Sequence, residues 1–283
     1  MTNAFVRKKI REMLAEDLGS GDITSKALLS PKVKAKAKIV VGQLGVLAGV
    51  KEAMVAFNEV GVQAKALKSD GQQIKAGDVI LRLDGPARGI FAAERVALNL
   101  LMRMSGIATA TQELINRARK KNPNVAIAAT RKTAPLLTYF DKLAVQVAGG
   151  EPHRYKLSDH ILIKGNHLRL VGSVSKAVLQ AREGSRVKKV EVEVSKPDEA
   201  YEAARAGADM VMFDNMKPAN IIRAIKILKR GGLRNRVTLE ASGGIDPSNV
   251  ESYVATGVDL ISSSYITMRA PALDMRLELK AKV

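Results

Sequence analysis

VEVEVSKPDEAYEAARAGADMVMFDN, residues 190–215, holds a short apolar strand, an amphipathic helix and a second apolar strand in one unbroken run. Pro197 stands where a first helical residue belongs, since its missing N–H would have no helical acceptor there, and Gly207 stands where a helix stops. The same unit recurs on both sides. VAIAAT (125–130), HILIK (160–164), KKVEVEV (188–194), DMVMFD (209–214), VTLEA (237–241) and DLISS (259–263) read as strands. SVSKAVLQAREG, PDEAYEAARAG, PANIIRAIKILKRGG and PSNVESYVATG have helical spacing, with Pro218 and Pro247 at starts and Gly231 and Gly257 at stops. Strand–helix alternation implies a parallel sheet, because parallel neighbours need a crossover. Six or seven such units predict a closed or nearly closed α/β barrel. A doubly wound open sheet is the alternative, but no GxGxxG follows the first strand to support dinucleotide binding.

Before residue 106 the pattern differs. MTNAFVRKKIREMLAEDLG reads as an amphipathic helix, and its acids and broken apolar pattern are unlike a secretory signal. AKAKIVVG (35–42) and residues 45–49 read as strands, and KEAMVAFNEVG (51–61) as a helix. SDGQQIKAGDVILRLDG (69–85) alternates short strands with glycine turns at Gly71, Gly77 and Gly85. FAAERVALNLLMRMSG (91–106) is a strongly periodic helix.

The chain has 283 residues, no cysteine, and 46 Lys and Arg against 28 Asp and Glu, a net charge of +18. Without cysteine there are no disulfides, thiolate metal sites or thiol nucleophiles, which fits a cytoplasmic location. No long apolar run predicts a membrane span. The charge points to anionic partners. Aromatics are only 4% and no nucleic-acid motif is visible, so phosphorylated or carboxylated small ligands are expected and nucleic acid is not.

The polar residues cluster at strand ends, where barrels carry chemistry. VAIAAT runs into Thr130, Arg131 and Lys132; HILIK ends in Lys164; VEVEV contains Glu193; VMFD ends in Asp214; TLEA passes Glu240 into Ser242, Gly243 and Gly244; DLISS runs into Ser262, Ser263 and Ser264. Arg131, Lys132, Arg154 and Lys164 supply cations for carboxylates or phosphates. Glu193 and Asp214 can hold Mg²⁺, which takes few protein ligands and completes its shell with water and phosphate oxygens. The Ser-Gly-Gly stretch lets backbone N–H groups approach a phosphate. All three histidines, His153, His160 and His167, lie in HRYKLSDHILIKGNH. Their spacing fits no usual metal pattern. His160 reads as a packed or capping residue, His167 as a loop-orienting one, and His153 beside Arg154 as the functional candidate.

TRKT (130–133), GG..HR (149–154), LIK.NH (162–167), the second Glu of VEVEV, FDN (213–215), EASGGI (240–245) and GVD.IS (257–262) come in an order that resembles the quinolinate phosphoribosyltransferase family. EDLGSGDIT (16–24) and ERVALNLL..MSGIAT (94–109) belong to the same pattern. The resemblance implies an N-terminal α/β sandwich domain (1–105), an open α/β barrel (106–267) and a C-terminal segment (268–283) that returns to the first domain. It implies transfer of phosphoribosyl from phosphoribosyl pyrophosphate to quinolinate with Mg²⁺, giving nicotinate mononucleotide, pyrophosphate and CO2. It also implies a homodimer with shared sites, or a higher oligomer. Carried over, Arg131, His153, Arg154 and Lys164 form the quinolinate pocket, beside Thr130, and Arg95 is lent by the neighbouring subunit. Lys132 and Lys164 contact the phosphoribosyl donor. Lys132, Glu193 and Asp214 are then the catalytic set, the two acids serving ribose and metal. Ser242, Gly243, Gly244, Ser263 and Ser264 resemble phosphate loops.

Four departures stand out. After TRKT the family usually continues with Pro-Gly and an Arg, where this chain has Ala134, Pro135, Leu136, Leu137 and Thr138. Ala148 replaces the first glycine of a usual GGG, Pro152 stands where Asn is common, and Ser264 replaces a loop glycine. Nicotinate or another small acid is therefore the alternative substrate, and a basic nucleic-acid-binding protein the alternative from another class.

Overall fold

The computed structural model describes residues 3–280. It divides into two compact units, the first made of residues up to Ala110 and from Ala270, the second of Thr111–Arg269.

The first unit is an α/β sandwich. It contains α1 (Asn3–Leu18), α2 (Ile23–Leu28), β1 (Lys34–Val41), β2 (Gly45–Val46), α3 (Val50–Glu59), β3 (Gln63–Ala66), β4 (Gln73–Ile74), β5 (Val79–Pro86) and α4, which starts at Ala87 and ends at Arg119. The last strand of the chain, β12 (Met275–Leu279), completes an antiparallel sheet in the order β12-β1-β5-β3. Its strands alternate as half-buried strands must: Ile39, Leu81 and Leu83 are buried, while Lys36, Arg82 and Asp84 are exposed. α1 turns Val6, Ile10 and Leu14 inward, and its Arg7 and Arg11 both pair with Glu59 of α3.

The helix expected over 91–106 is longer, because Gly106 does not stop it. A Cβ at Gly106 would lie 2.1 Å from the carbonyl oxygen of Pro271. The glycine is there to let the C-terminal segment pass against the helix. The helix stops shortly before Asn122 and Pro123, where the pre-proline restriction disfavours helical backbone.

The second unit is the open barrel. In chain order it holds β6 (Ala126–Ala128), α5 (Thr138–Val147), β7 (Ile161–Ile163), α6 (Gly165–Val171), α7 (Val174–Gly184), β8 (Val190–Val194), α8 (Pro197–Arg205), β9 (Met210–Asp214), α9 (Pro218–Arg230), β10 (Thr238–Ser242), α10 (Val250–Val254), β11 (Leu260–Ser262) and α11 (Tyr265–Met268). Six parallel strands pair in the order β6-β11-β10-β9-β8-β7. Ala128 of β6 also bridges to Glu151 in parallel, and among the described residues no ladder joins that segment to β7. Of the three expected prolines, Pro197 and Pro218 open their helices, whereas Pro247 lies in the turn before α10, which starts only at Val250; Glu199 accepts from the N–H groups of Ser195 and Lys196 at the start of α8.

One device recurs at the N-terminal ends of the strands. Asp209 accepts from the Val190 N–H at 2.7 Å and pairs with Arg182, and Asp259 accepts from the Leu239 N–H at 2.8 Å and pairs with Arg234. Both acids precede their strands, at the end of the sheet opposite the C-terminal strand ends where barrels carry chemistry.

Candidate active site

Strand β8 shows how the site is built. Its side chains alternate, so Glu191 and Glu193 fall on one face. That face points into the barrel: Glu191 is wholly buried, and Glu193, one step nearer the open end, is half-buried. On β10, Glu240 is likewise wholly buried and Ser242 lies beyond it. The barrel thus has a charged floor beneath a polar mouth.

At the mouth lies a hollow of about 480 Å³. Thr130, Arg131 and Lys132 after β6, His153 and Arg154 after the Glu151 segment, Lys164 after β7, Glu193 of β8, Asp214 of β9 and Ser242 of β10 all line it. Nine of the residues singled out in the sequence are therefore brought together by independent strand ends. Ala129, Leu162, Met212, Asn215, Glu240 and Ser262 complete the wall.

Not every expected residue joins them. Gly243, Gly244, Ser263 and Ser264 follow the last lining residues of β10 and β11 and do not themselves line the hollow. Ser263 is turned inward: it is buried, and its Oγ donates to the carbonyl of Ile245 at 2.5 Å. That bond ties it to the loop after Ser-Gly-Gly. Gly243 has φ +100°, and a Cβ there would meet the Asn215 side chain at 2.3 Å. Arg95 lies on α4 in the first unit.

His153 is the hinge between floor and mouth. Its Nε2 lies 3.2 Å from Glu240 Oε2 and 3.5 Å from Glu191 Oε2, and its side chain is 8% exposed. His160 Nε2 meets the same Glu191 oxygen at 2.8 Å, and the two rings meet edge to face, 5.2 Å apart. Glu240 also accepts from Ser262 Oγ at 2.5 Å, and Ser262 Oγ approaches Ser242 Oγ at 2.9 Å. Burial works against the imidazolium of His153, but the two carboxylates outweigh it and raise the group to about 9. Burial likewise pushes Glu191 up, yet His153 and His160 win and hold it at about 2. Glu240 moves upward, driven by burial and by the Glu191 charge. At neutral pH His153 is thus a cation facing the hollow.

Arg154 is buried and donates to the carbonyl of His160 at 3.2 Å. Lys164 Nζ lies 2.8 Å from Glu193 Oε1, which keeps both near the mouth. His167 caps the same turn by accepting from the Lys164 N–H at 2.9 Å. Five cationic groups (Arg131, Lys132, His153, Arg154, Lys164) face three carboxyl groups (Glu193, Asp214, Glu240), so the hollow suits a polyanion. His153 and Asn215 have positive φ, 52° and 53°. Such strain persists only where the surroundings over-determine it.

Two groups could attract a metal. His153, His160 and Glu191 offer atoms within 4.8 Å of one another, but each imidazole is already paired with a carboxylate, and Mg²⁺ prefers oxygen. Glu193 and Asp214 are oxygen donors on adjacent strands, both open to the hollow, and fit a hard divalent cation.

Residues 107–278 match the model of the quinolinate phosphoribosyl transferase C-terminal domain, and residues 22–105 that of its N-terminal domain. The chain is 46% identical over 272 residues to a protein of Methanothermobacter thermautotrophicus named as a probable nicotinate-nucleotide pyrophosphorylase (carboxylating), covering 96% of this chain and 98% of that one. The human nicotinate-nucleotide pyrophosphorylase (carboxylating) is 37% identical over 257 residues, covering 90% of this chain and 86% of its own. The solved structure of the nicotinate-nucleotide pyrophosphorylase from Francisella tularensis superposes with a TM-score of 0.91 at 36% identity, over 99% of this chain and 98% of that one.

Proposed function

The chain belongs to the quinolinate phosphoribosyltransferase family, and from that premise we propose that the hollow of its barrel unit is where the reaction takes place. The enzyme transfers a phosphoribosyl group from phosphoribosyl pyrophosphate to quinolinate with decarboxylation. The products are nicotinate mononucleotide, pyrophosphate and CO2, in de novo NAD synthesis.

The observation that carries the site assignment is the convergence of Arg131, His153, Arg154 and Lys164 on one hollow with Glu193 and Asp214. Quinolinate bears two adjacent carboxylates, so several cations must reach one ring. The guanidinium of Arg131 suits a two-pronged grip. The buried Arg154 and the charged His153 supply positive charge from the wall, where water is scarce and each charge counts for more. Lys132 and Lys164 serve the phosphates of the donor.

As pyrophosphate leaves, positive charge builds on the anomeric carbon of the ribose. Glu193 and Asp214 stand where carboxylates can stabilise it, without forming a bond to it. Mg²⁺ would be held by the same two residues, in part through water, and would neutralise charge on the leaving pyrophosphate. The pyridine nitrogen, once ribosylated, is quaternary, and its positive charge stabilises the electron pair left on the adjacent ring carbon as CO2 departs, until that carbon takes up a proton. Positioning therefore supplies much of the help, and no covalent enzyme intermediate is needed.

The site becomes complete in a homodimer in which Arg95 of the first unit is lent to the neighbouring subunit's hollow. The exposed Lys164 and Arg131 leave the mouth open to such a contribution. No helix among the described residues is long and apolar enough to cross a membrane.

The test is incubation with quinolinate, phosphoribosyl pyrophosphate and Mg²⁺, with release of CO2 measured, then repetition with nicotinate. Turnover of quinolinate with one CO2 per nucleotide is expected. Turnover of nicotinate alone would overturn the reading.

A further inference from the structure

Lys142 has no place in the chemistry just described, yet it is wholly buried. It sits on α5, and its Nζ lies 2.5 Å from the carbonyl oxygen of Pro152 and 2.5 Å from that of Arg154. These two carbonyls flank His153, the residue held at φ +52°. The ammonium also lies over the ring of Tyr155, 5.2 Å from its centre, and the Tyr155 hydroxyl donates to Gln146, one turn further along α5, at 3.0 Å. One helix therefore holds three residues, Pro152, Arg154 and Tyr155, on either side of His153. Lys142 forms no ion pair among the described residues.

A buried ammonium whose acceptors are backbone carbonyls is a costly way to fill a core, where an aliphatic side chain would pack without that penalty. Burial pushes Lys142 down to about 8, against the attraction of Asp159 and together with repulsion from Arg131 and Arg154. What the charge does in return is geometric. A left-handed backbone at a non-glycine residue needs neighbours that hold it, and two charge-assisted hydrogen bonds bracket this one. The neighbouring Asp141 accepts from the Ala134 N–H at 3.2 Å, in the loop that follows Arg131 and Lys132. α5 thus bonds to both cation-bearing loops, but Lys142 bonds only to the loop of His153 and Arg154.

We propose that Lys142 is a positioning residue for the diacid half of the site: by clamping the carbonyls on either side of His153 it aims His153 and Arg154 at the carboxylates of quinolinate. This rests on the substrate assignment above. The clamp acts on the loop of His153 and Arg154, assigned to quinolinate alone, and makes no bond to Lys132, assigned to the donor, so its loss should separate the two substrates.

The experiment is Lys142→Met, with circular dichroism to confirm folding and KM measured separately for each substrate. Loss of charge-assisted bonds to the loop should raise KM for quinolinate by roughly tenfold to a hundredfold, while KM for phosphoribosyl pyrophosphate changes by less than about threefold. Equal rises in both constants, or no rise for quinolinate, would overturn the proposal and leave Lys142 a plain core residue. If the variant does not fold, the unsubstituted protein labelled with ¹⁵N at its lysine side chains decides the matter. A shielded ammonium resonance that shifts with quinolinate and not with phosphoribosyl pyrophosphate supports the clamp, and one indifferent to quinolinate overturns it. If the unsubstituted protein turns over no quinolinate, the substrate assignment has failed. If it does and Lys142→Met shows no selective rise, the clamp alone has failed.

Discussion

Glu240→Gln replaces one titratable carboxyl group on the floor of the barrel with an amide of the same shape. Ser262 can still donate to the amide oxygen that replaces Oε1. His153 loses one of the two carboxylates that hold it. In the intact protein it stands at about 9 against an ordinary 6.5, with burial working the other way. A shift of between two and three units corresponds to roughly 3 kcal/mol of net preference for the cation. Glu240 lies at 3.2 Å and Glu191 at 3.5 Å, so Glu191 stays beside the imidazole when Glu240 is replaced. The substitution should therefore lower His153 from about 9 towards its ordinary value, because a carboxylate oxygen beside the imidazolium gives way to an amide. The sign follows from the charge. The imidazolium exists below its pKa, so the cation persists up to about 9 in the intact protein and is lost at lower pH in the variant. The same raised value means that the stability His153 contributes is fully present below about 6.5 and lost as pH climbs through about 9. With only three histidines in the chain, imidazole resonances can be followed one by one. The pH profile of kcat/KM for quinolinate gives the functional readout. A His153 that titrates near its ordinary value in the unsubstituted protein, or that does not move in Glu240→Gln, would refute the reasoning.

Arg131→Ala should weaken quinolinate binding by at least about a hundredfold, because a paired set of charge-assisted bonds is lost, as calorimetry can measure. Arg95→Ala should be equally inactive, but mixing the two variants should restore some activity after subunit exchange if Arg95 is lent across a dimer, and verified mixed dimers without activity would count against that. Leu136 is exposed and held at φ +65°. Leu136→Gly should therefore raise stability by about 0.5–1 kcal/mol, read as a small rise in Tm, since the left-handed strain exceeds the entropy glycine adds to the unfolded chain.

The barrel was legible because its signals are periodic and redundant. Pro197 and Pro218 start helices, apolar strands alternate with them, and a parallel sheet follows from that alternation whatever happens at any one residue. The cations were legible because they sit at strand ends, where sequence position alone fixes which end of the barrel they reach. The floor was not. In VEVEV both glutamates look alike, and only the depth of the strand in the barrel makes Glu191 a buried ion and Glu193 a wall residue. Lys142 follows Asp141 in a helix and reads as an ordinary surface charge, since its acceptors are carbonyls ten and twelve residues away. The inward turn of Ser263 was hidden for another reason. The residue lies beside lining residues in sequence, but a one-residue step along an extended segment turns a side chain to the other face.

The departures from the family pattern bear on substrate identity through the backbone. A glycine is required where φ is positive or where another chain segment comes too close for a Cβ. Gly149 has φ +83°, and a Cβ on Gly150 would come within 2.8 Å of Thr111 and Val145, so both glycines kept from the usual GGG stand where the backbone needs them. Ala148 has φ −83° and Ser264 φ −81°, ordinary values that any residue adopts, so their replacement of glycine leaves the loops undisturbed. Pro152 contributes the carbonyl that Lys142 grips, which a proline supplies as well as an asparagine does. Leu136 is the exception: it stands at the usual glycine and keeps the left-handed backbone at its own cost. The altered residues thus preserve the course of the chain around Arg131, His153 and Arg154. A pocket with that course and those charges remains built for two carboxylates on one ring.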